Sequence, residues 1–353
     1  MQYLPELMRF NNGTPVTDAS MWEARRKELT DVLAREEYGY LPPVFGKTEG
    51  TVTSKIEKCC SGHAVFEKVN ITVPLKTGSF TFPVNLFTPT RVEKAPVFVL
   101  INFRPDAYDM YYPLEEIIDN GFALAVLYYN DITQDNGDMQ DKLAGLIERP
   151  ADGTGFGKIS LWAWACSRVL DYLETREELD CSNAAVIGHS RLGKTALWCG
   201  ANDTRFKYVI SNDSGCSGAA YEREKHDDSE TLARIIDKFP FWFCDNFKKY
   251  VGNEDSRPFD QHWLLAASAP RYVLVNSASK DLWADPLGEQ MSCRAASPAW
   301  ELHNMPGFIC PETQAPVDKP FIEGSIGYQR RDGVHFLGRA DWQNAMTFMK
   351  IHK

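Results

Sequence analysis

The sequence predicts an α/β fold in which a mainly parallel central sheet is flanked by helices. Apolar, strand-sized segments at 95–103, 122–129, 184–188, 208–211 and 272–277 alternate with helix-forming stretches, an order typical of βαβ units. Hydrophobic residues make up 44% of the chain and charged residues 24%, which is ordinary globular composition. No apolar run approaches the roughly 18 residues that a membrane-spanning helix needs. We therefore expect a packed globular protein without a membrane partner.

At 353 residues, the chain is expected to form a single domain over residues 1–353. Residues 1–48 are predicted as a helical preface, because 19–37 has helix-forming composition and a Tyr-Gly-Tyr-Leu-Pro-Pro breaker follows. Residues 215–262 form a long insertion rich in Phe, Trp and charge. Its length suits a cap over the carboxyl edge of the sheet, where ligands bind in such folds.

The remaining elements follow from hydrophobic periodicity. Segments 51–56, 64–73 and 79–88 alternate partially and are separated by turn residues, which predicts antiparallel strands at one sheet edge. Residues 155–174 carry an apolar stripe at helical spacing and are predicted as a core helix. Residues 299–302 are predicted as the last strand.

The junction after segment 184–188 is the most informative part of the chain. A buried strand runs there into Gly-His-Ser-Arg-Leu-Gly-Lys, residues 188–194, and then into a helix-forming stretch. A serine on such a strand-turn-helix junction is lifted above the sheet, and the helix N-terminus faces developing negative charge. Ser190 is therefore the predicted nucleophile, although the second glycine comes one residue later than in the common G-x-S-x-G form.

A serine needs a general base, and His335 is the predicted one. It lies in Arg-Asp-Gly-Val-His-Phe, a glycine-containing loop ahead of a C-terminal helix, where the order Ser, acid, His of the α/β-hydrolase fold places the base. Two other histidines are weaker candidates. His189 adjoins the serine, but strand-turn geometry is expected to turn its side chain away, and His262 precedes an apolar helix.

The acid of the triad has two candidates. Asp281 follows the strand 272–277 through a short loop and is preferred, because a carboxylate just after a strand end can orient the histidine. Asp213, at the end of the preceding strand, is the alternative acid. Asp285, before a proline, is interpreted as a turn residue.

The segment 188–194 resembles the G-C-S-R-x-G-K elbow of the glucuronoyl esterases, carbohydrate esterase family fifteen. The resemblance extends from about residue 90 to the C-terminus, and it favours the bacterial branch, many of whose members also resemble acetylxylan esterases. Four further segments carry it, at 212–218, 239–244, 260–262 and 281–286.

The resemblance implies a role for six residues. Arg191 would stabilise the oxyanion through its backbone N–H and its guanidinium, a contribution worth about 100- to 1000-fold in turnover. The other implied roles are nucleophile and base for Ser190 and His335, and contacts to the sugar for Lys194, Trp283 and Glu230. The alternative for Lys194 is a solvated helix residue.

Two positions depart from the family pattern. Asp213 stands where the family has Glu and is one methylene shorter, which favours Asp281 as the acid. His189 stands where fungal members often have cysteine, which again points to the bacterial branch.

The expected function is hydrolysis of plant cell-wall carbohydrate esters through an acyl-enzyme, with 4-O-methyl-glucuronoyl esters as the substrate. An acetylxylan esterase acting on xylo-oligosaccharides is the alternative, and an inactive carbohydrate-binding protein is the remote one. The ester preference and the oligomeric state are left open by the sequence. The substrate would be a small-molecule or oligosaccharide ester.

Net charge, residue spacing and cysteine content argue against nucleic acid, metal ions and organic cofactors as partners. The net charge of −10 and the lack of a dense basic cluster argue against nucleic acid. No His and carboxylate cluster is spaced for metal, the nine cysteines form no C-x-x-C pairs, and no organic cofactor is required. The N-terminus lacks the pattern of a secretory signal, so a cytoplasmic location is expected, unless a signal was removed.

Overall fold

The computed structural model describes residues 4–223 and 225–353. Residues 1–3 of the predicted preface and Glu224 of the predicted insertion lie outside these ranges. The α-helices are α1 Trp22–Leu33, α2 Leu114–Asp119, α3 Tyr129–Ile132, α4 Lys142–Leu146, α5 Lys158–Leu173, α6 Arg191–Asn202, α7 Leu232–Lys238, α8 Gln261–Ala266, α9 Pro286–Ala296, α10 Pro298–Glu301 and α11 Arg339–Ile351.

One nine-stranded sheet forms the centre of the described chain, in the order β1-β2-β3-β5-β4-β6-β7-β8-β9. Pairing is antiparallel from β1 to β3 and between β3 and β5, and it is parallel from β5 through β4 to β9. The strands are β1 Glu49–Cys59, β2 Ala64–Pro74, β3 Ser79–Pro89, β4 Ala95–Asn102, β5 Ala123–Tyr128, β6 Leu179–His189, β7 Tyr208–Asn212, β8 Tyr272–Ala278 and β9 Ile326–Arg331.

The parallel strands are buried on both faces, as expected when helices cover a sheet. Strand β7 is buried at every residue, and β4 and β5 at all but one each. Helix α5 packs on one side with nearly its whole length buried, whereas Trp342 of α11 contacts Phe98 of β4 on the other side, with ring centroids 5.1 Å apart. The predicted fold class, a mainly parallel sheet flanked by helices, is confirmed.

The predicted strand at 299–302 is wrong. Pro298–Glu301 is the helix α10, and Leu302 follows it. A proline suits the first turn of a helix, where its missing N–H has no partner to lose, and four residues are too few for periodicity to separate helix from strand. The last strand is instead β9, which was not predicted because its composition, Ile-Gly-Tyr-Gln-Arg-Arg, is largely polar.

The described part of the preface is helical from Ala19 to Tyr38, is irregular before and after that segment, and packs on the domain. After α1, a π-helical turn at Ala34–Tyr38 carries the buried Tyr38, which stacks on Trp198 of α6 with ring centroids 4.6 Å apart. Its hydroxyl donates to the carbonyl of Ser217 at 2.9 Å. The preface therefore supports α6, the helix that begins next to Ser190.

Two further observations concern the described chain as a whole. Within residues 4–223 and 225–353, no helix combines the length and the apolar character needed to cross a membrane. The nine cysteines are free thiols, and most of them are buried.

Candidate active site

Four neighbouring parallel strands bring the predicted catalytic residues to one edge of the sheet. Ser190 follows β6, Asp213 follows β7, Asp281 follows the end of β8 and His335 follows β9. The carboxyl ends of parallel strands meet at the same edge, so these residues lie together although they are far apart in sequence. A pocket of about 270 Å³ opens there, lined by Ser190, Arg191, Lys194, Asp213, Ser214, Gly215, Glu230, Lys238, Phe239, Trp242, Trp283, Ala284 and His335.

Ser190 occupies a strained backbone conformation, with φ 57° and ψ −127°. Such strain persists only where the surroundings enforce it, and it is concentrated at functional sites. Gly188 makes the tight turn possible, because a Cβ there would lie 2.0 Å from the carbonyl oxygen of Leu192. A Cβ on Gly193 would lie 3.0 Å from Ser211 Oγ, so this glycine allows α6 to approach β7 closely.

The imidazole of His335 is paired with Asp281 and not with Asp213. His335 Nδ1 lies 2.5 Å from Asp281 Oδ2, and the side chain of Asp281 is buried whereas that of His335 is 42% exposed. Because Nδ1 is engaged by the carboxylate, Nε2 is the ring nitrogen available for proton transfer. Asp213 Oδ2 instead accepts hydrogen bonds from the backbone N–H of Phe336 and from Nη2 of Arg331, both at 3.3 Å.

The environment of Asp213 favours its neutral form. Burial raises the pKa of Asp213 well above its usual range, and the nearby carboxylate of Glu289 raises it further, while Arg331 opposes the change. Glu289 is itself fully buried, which raises its pKa to about 7, and it accepts hydrogen bonds from Ser277 Oγ and from Gly215 N. A protonated Asp213 would offer His335 no compensating negative charge.

His189 lies closer to the site than the sequence argument implied. Its ring centroid is 4.4 Å from that of His335, and its Nδ1 lies 2.6 Å from Asn212 Oδ1. Burial lowers the pKa of His189 to about 3, and the proximity of His335 lowers it further. His189 is therefore a neutral aromatic support beside the predicted base.

His189, Asp213 and His335 also form a cluster with potential metal ligands, since one ligand atom from each lies within 4.8 Å of the others. Sequence spacing did not reveal this cluster because His189 ends β6, Asp213 follows β7 and His335 follows β9. Protein groups already engage all three: Asn212 bonds His189, Asp281 binds His335, and Arg331 places a cation beside Asp213. The absence of a metal requirement stays a prediction.

Arg191 is fixed at the start of α6 by charge and by aromatic rings. Its Nη1 forms an ion pair with Asp135, and its guanidinium carbon lies 4.8 Å from the ring centroid of Trp242 and 5.5 Å from those of Phe103 and Phe239. Its Nε is buried and has no hydrogen-bond partner among the residues that the structure describes. The first backbone N–H groups of a helix lack intrahelical acceptors, so the N–H of Arg191 is available to an anion as well.

Lys194, Glu230 and Trp283 line the same pocket, next to the serine. Lys194 is 3% exposed, which makes the alternative of a solvated lysine wrong; its Nζ donates to the carbonyl of Ser214 and lies 4.0 Å from Glu230 Oε2. The backbone N–H of Glu230 donates to the carbonyl of Trp283 at 2.9 Å. Charged groups and an aromatic face therefore meet in one pocket.

No role was predicted from the sequence for Asp135, Lys238, Phe239 or Trp242. Asp135 binds Arg191 with one oxygen and accepts from Trp242 Nε1 with the other, at 2.6 Å. It lies in a polar loop, and no local motif distinguishes it. The other three line the pocket and come from the insertion after β7, where segment 239–244 supported only the family resemblance.

A mostly parallel sheet that presents a strand-turn-helix serine beside a histidine paired with aspartate defines an α/β-hydrolase. The sequence model described as glucuronyl esterase, fungi, matches residues 69–303. The chain accordingly belongs to the glucuronoyl esterase family, and it is a carboxylic ester hydrolase.

Three individual proteins illustrate the similarity. A carbohydrate esterase from an unknown prokaryotic organism is 32% identical over 99% of this chain and 89% of its own length. The 4-O-methyl-glucuronoyl methylesterase 1 of Wolfiporia cocos is 30% identical over 86% of this chain and 73% of its own. The solved glucuronoyl esterase from Solibacter usitatus superposes with a TM-score of 0.90 at 33% identity, covering 99% of this chain and 97% of that one.

Proposed function

We propose that this protein hydrolyses 4-O-methyl-glucuronoyl esters of plant cell-wall carbohydrates through an acyl-enzyme on Ser190. The observation that supports this proposal most directly is the 2.5 Å pairing of His335 Nδ1 with Asp281 Oδ2 at the pocket that Ser190 lines. Ser190 is the proposed nucleophile, His335 the general base and Asp281 the group that orients it. The several relatives named 4-O-methyl-glucuronoyl methylesterase support the choice of substrate.

The proposed reaction has two steps. Ser190 Oγ attacks the ester carbonyl while His335 Nε2 takes the hydroxyl proton, and that proton passes to the alcohol oxygen as the C–O bond breaks. A water molecule then attacks the acyl-enzyme while His335 Nε2 takes its proton, and that proton passes to Ser190 Oγ as the acyl C–O bond breaks and the free uronate leaves. Asp281 keeps the proton on Nδ1 and offsets the transient imidazolium charge.

Stabilisation of the negative charge on the tetrahedral intermediate is assigned to Arg191. Its backbone N–H opens α6, so the positive end of the helix dipole adds to the effect. Because the guanidinium is held by Asp135 and three rings, its orientation is fixed before the substrate arrives. Such preorganised donors stabilise the transition state without reorganising during the reaction.

Binding of the uronic acid part of the ester is assigned to Lys194, Glu230 and Trp283. The lysine and the carboxylate can bond sugar hydroxyls, and the half-exposed Trp283 offers a flat apolar face to a sugar ring. Arg234 and Lys238 lie 5.3 and 5.4 Å from the centroid of the Trp283 ring and hold its position. The partner of this site is thus a small-molecule or oligosaccharide ester.

The substrate assignment is tested by measuring turnover of a methyl glucuronate ester beside an acetylated xylo-oligosaccharide under identical conditions. The Ser190→Ala protein serves as the blank. We expect a higher kcat/KM for the uronate ester. A clear preference for the acetyl ester would make the protein a deacetylase on the same scaffold and overturn the substrate assignment.

The role of Trp283 gives a separate prediction. Trp283→Ala should raise KM for the uronate ester about tenfold while kcat stays within about threefold, because loss of about 1.4 kcal/mol of apolar contact weakens ground state and transition state alike. Trp283→Phe should recover most of the affinity. Leu282→Ala is the matched control, since this neighbour is 55% exposed and does not line the pocket. A fall in kcat at unchanged KM would contradict the assignment.

A further inference from the structure

The connection between β9 and α11, residues 332–338, carries His335. His335 and its neighbour Val334 are exposed to solvent. Leu337 anchors the end of the loop in the core, but the exposed residues around His335 have no such burial, and a general base must stay within a fraction of an ångström of its working position. The loop around His335 must therefore be held in place by contacts with the neighbouring strands and helix.

Arg331 makes those contacts. It is the last residue of β9, it is 7% exposed, and its Nη2 donates to the backbone carbonyls of Val334, at 3.0 Å, and of Phe336. These are the two residues that flank His335. Its Nε donates to both carboxylate oxygens of Asp341 in α11, at 2.8 and 2.9 Å. One guanidinium thus ties the loop to the strand before it and the helix after it.

The loop is shaped to wrap around this guanidinium. Gly333 has φ +138°, and a Cβ there would lie 2.5 Å from Arg331 Nη1. On the outer side, the backbone N–H of Lys280 donates to the carbonyl of Gly333 at 2.9 Å, which joins the loop to the segment that leads to Asp281.

Asp213 completes the arrangement from the end of β7. Its Oδ2 accepts hydrogen bonds from Arg331 Nη2 and from the backbone N–H of Phe336, both at 3.3 Å. The same oxygen therefore holds the guanidinium and the residue after His335. Asp213 therefore bonds Arg331 and the loop backbone, which hold His335 in place, whereas Asp281 bonds the imidazole of His335 itself.

We propose that Arg331 and Asp213 are positioning residues that clamp the His335 loop, so that the carboxyl group after β7 acts on loop geometry while the carboxylate after β8 acts on the imidazole. This inference rests on the proposed role of His335 as general base. Arg331 bonds the backbone on both sides of His335, and Asp213 bonds Arg331 and the backbone N–H of Phe336, so both residues act on His335 through the loop that carries it.

The clamp predicts a specific pattern of rescue at position 213. Asp213→Ala removes the acceptor for both hydrogen bonds and should lower kcat about 10- to 100-fold with KM within about twofold, the size expected when a catalytic group is displaced by about 1 Å. Asp213→Asn keeps an oxygen acceptor and should restore kcat to within about threefold of the unmodified protein. The pKa of the acidic limb of the kcat profile should be the same in both variants.

Two results at position 213 would overturn the clamp. Equal and large losses in Asp213→Ala and Asp213→Asn, with a displaced acidic limb, would show that the charge of Asp213 acts on His335. An unchanged kcat in Asp213→Ala would show that its hydrogen bonds do not position the loop.

Arg331→Lys provides an independent test should Asp213→Ala fail to fold. A lysine keeps the charge but cannot bind Asp341 and both loop carbonyls together, so kcat should fall about 10- to 100-fold at a preserved KM. Arg339→Lys is the matched control, because Arg339 is exposed and its one ion pair among the residues that the structure describes is with Glu116. An Arg331→Lys protein with the control's kcat would overturn the clamp.

The failure of this inference can be told apart from failure of the proposed function. Ser190→Ala and His335→Ala are measured in parallel. If either keeps full activity, the catalytic assignment is wrong; if both lose activity while the Asp213 and Arg331 variants keep it, only the clamp is wrong.

Discussion

Replacing Ser190 by alanine is expected to lower kcat for the uronate ester about 10⁶-fold, the largest effect of any single change in this protein. Without Oγ no acyl-enzyme can form, and only water attack assisted by the oxyanion donors remains. The loss should be as large in a Ser190→Ala/His335→Ala double variant, because nucleophile and base act as one unit and their effects do not add.

Folding must be intact for this result to be interpretable. The thermal midpoint of Ser190→Ala should match that of the unmodified protein. Ser182→Ala is the matched control, because this exposed serine bonds its neighbours Asp180 and Asn183 near the start of β6 and lies outside the pocket. Activity above a few per cent in Ser190→Ala would remove Ser190 from its role as nucleophile.

Asp281→Asn is expected to lower kcat about 10⁴-fold, because an amide no longer fixes the imidazole tautomer or offsets its positive charge. The 2.5 Å contact with His335 Nδ1 is the structural reason for an effect of this size. The measurement is kcat for Asp281→Asn beside Asp213→Asn, with folding compared by thermal unfolding. The reverse ranking of the two variants would move the acid of the triad to the end of β7.

A site residue could be predicted from the sequence where its pattern lies within a short segment or follows from the chain order of the fold. Ser190 was found because strand, turn and helix follow one another within a few residues, and His335 because the chain order of the fold limits where a base can lie. Asp281 was preferred over Asp213 from its place after a strand and from the shorter side chain at 213. The pairing in the structure agrees with that preference, and its catalytic consequence stays a prediction.

Other parts of the site could not be predicted because their partners come from distant segments. Asp135 matters through Arg191 and Trp242, and Arg331 through a loop that folds back over it, so neither has a recognisable motif. Strand β9 was missed because its polar composition does not resemble a buried strand, although β8 pairs with it along six residues.

The order of the last four strands has a consequence for how activity is gained during folding. His335 and Asp281 are 54 residues apart along the chain, and Phe336 and Asp213 are 123 residues apart. Contacts of such long range close late, because the entropy of the intervening loops is lost before the contacts form. Since the base follows the outermost strand, β9, the site is complete only when that strand has docked. We therefore expect esterase activity to recover after secondary structure during refolding.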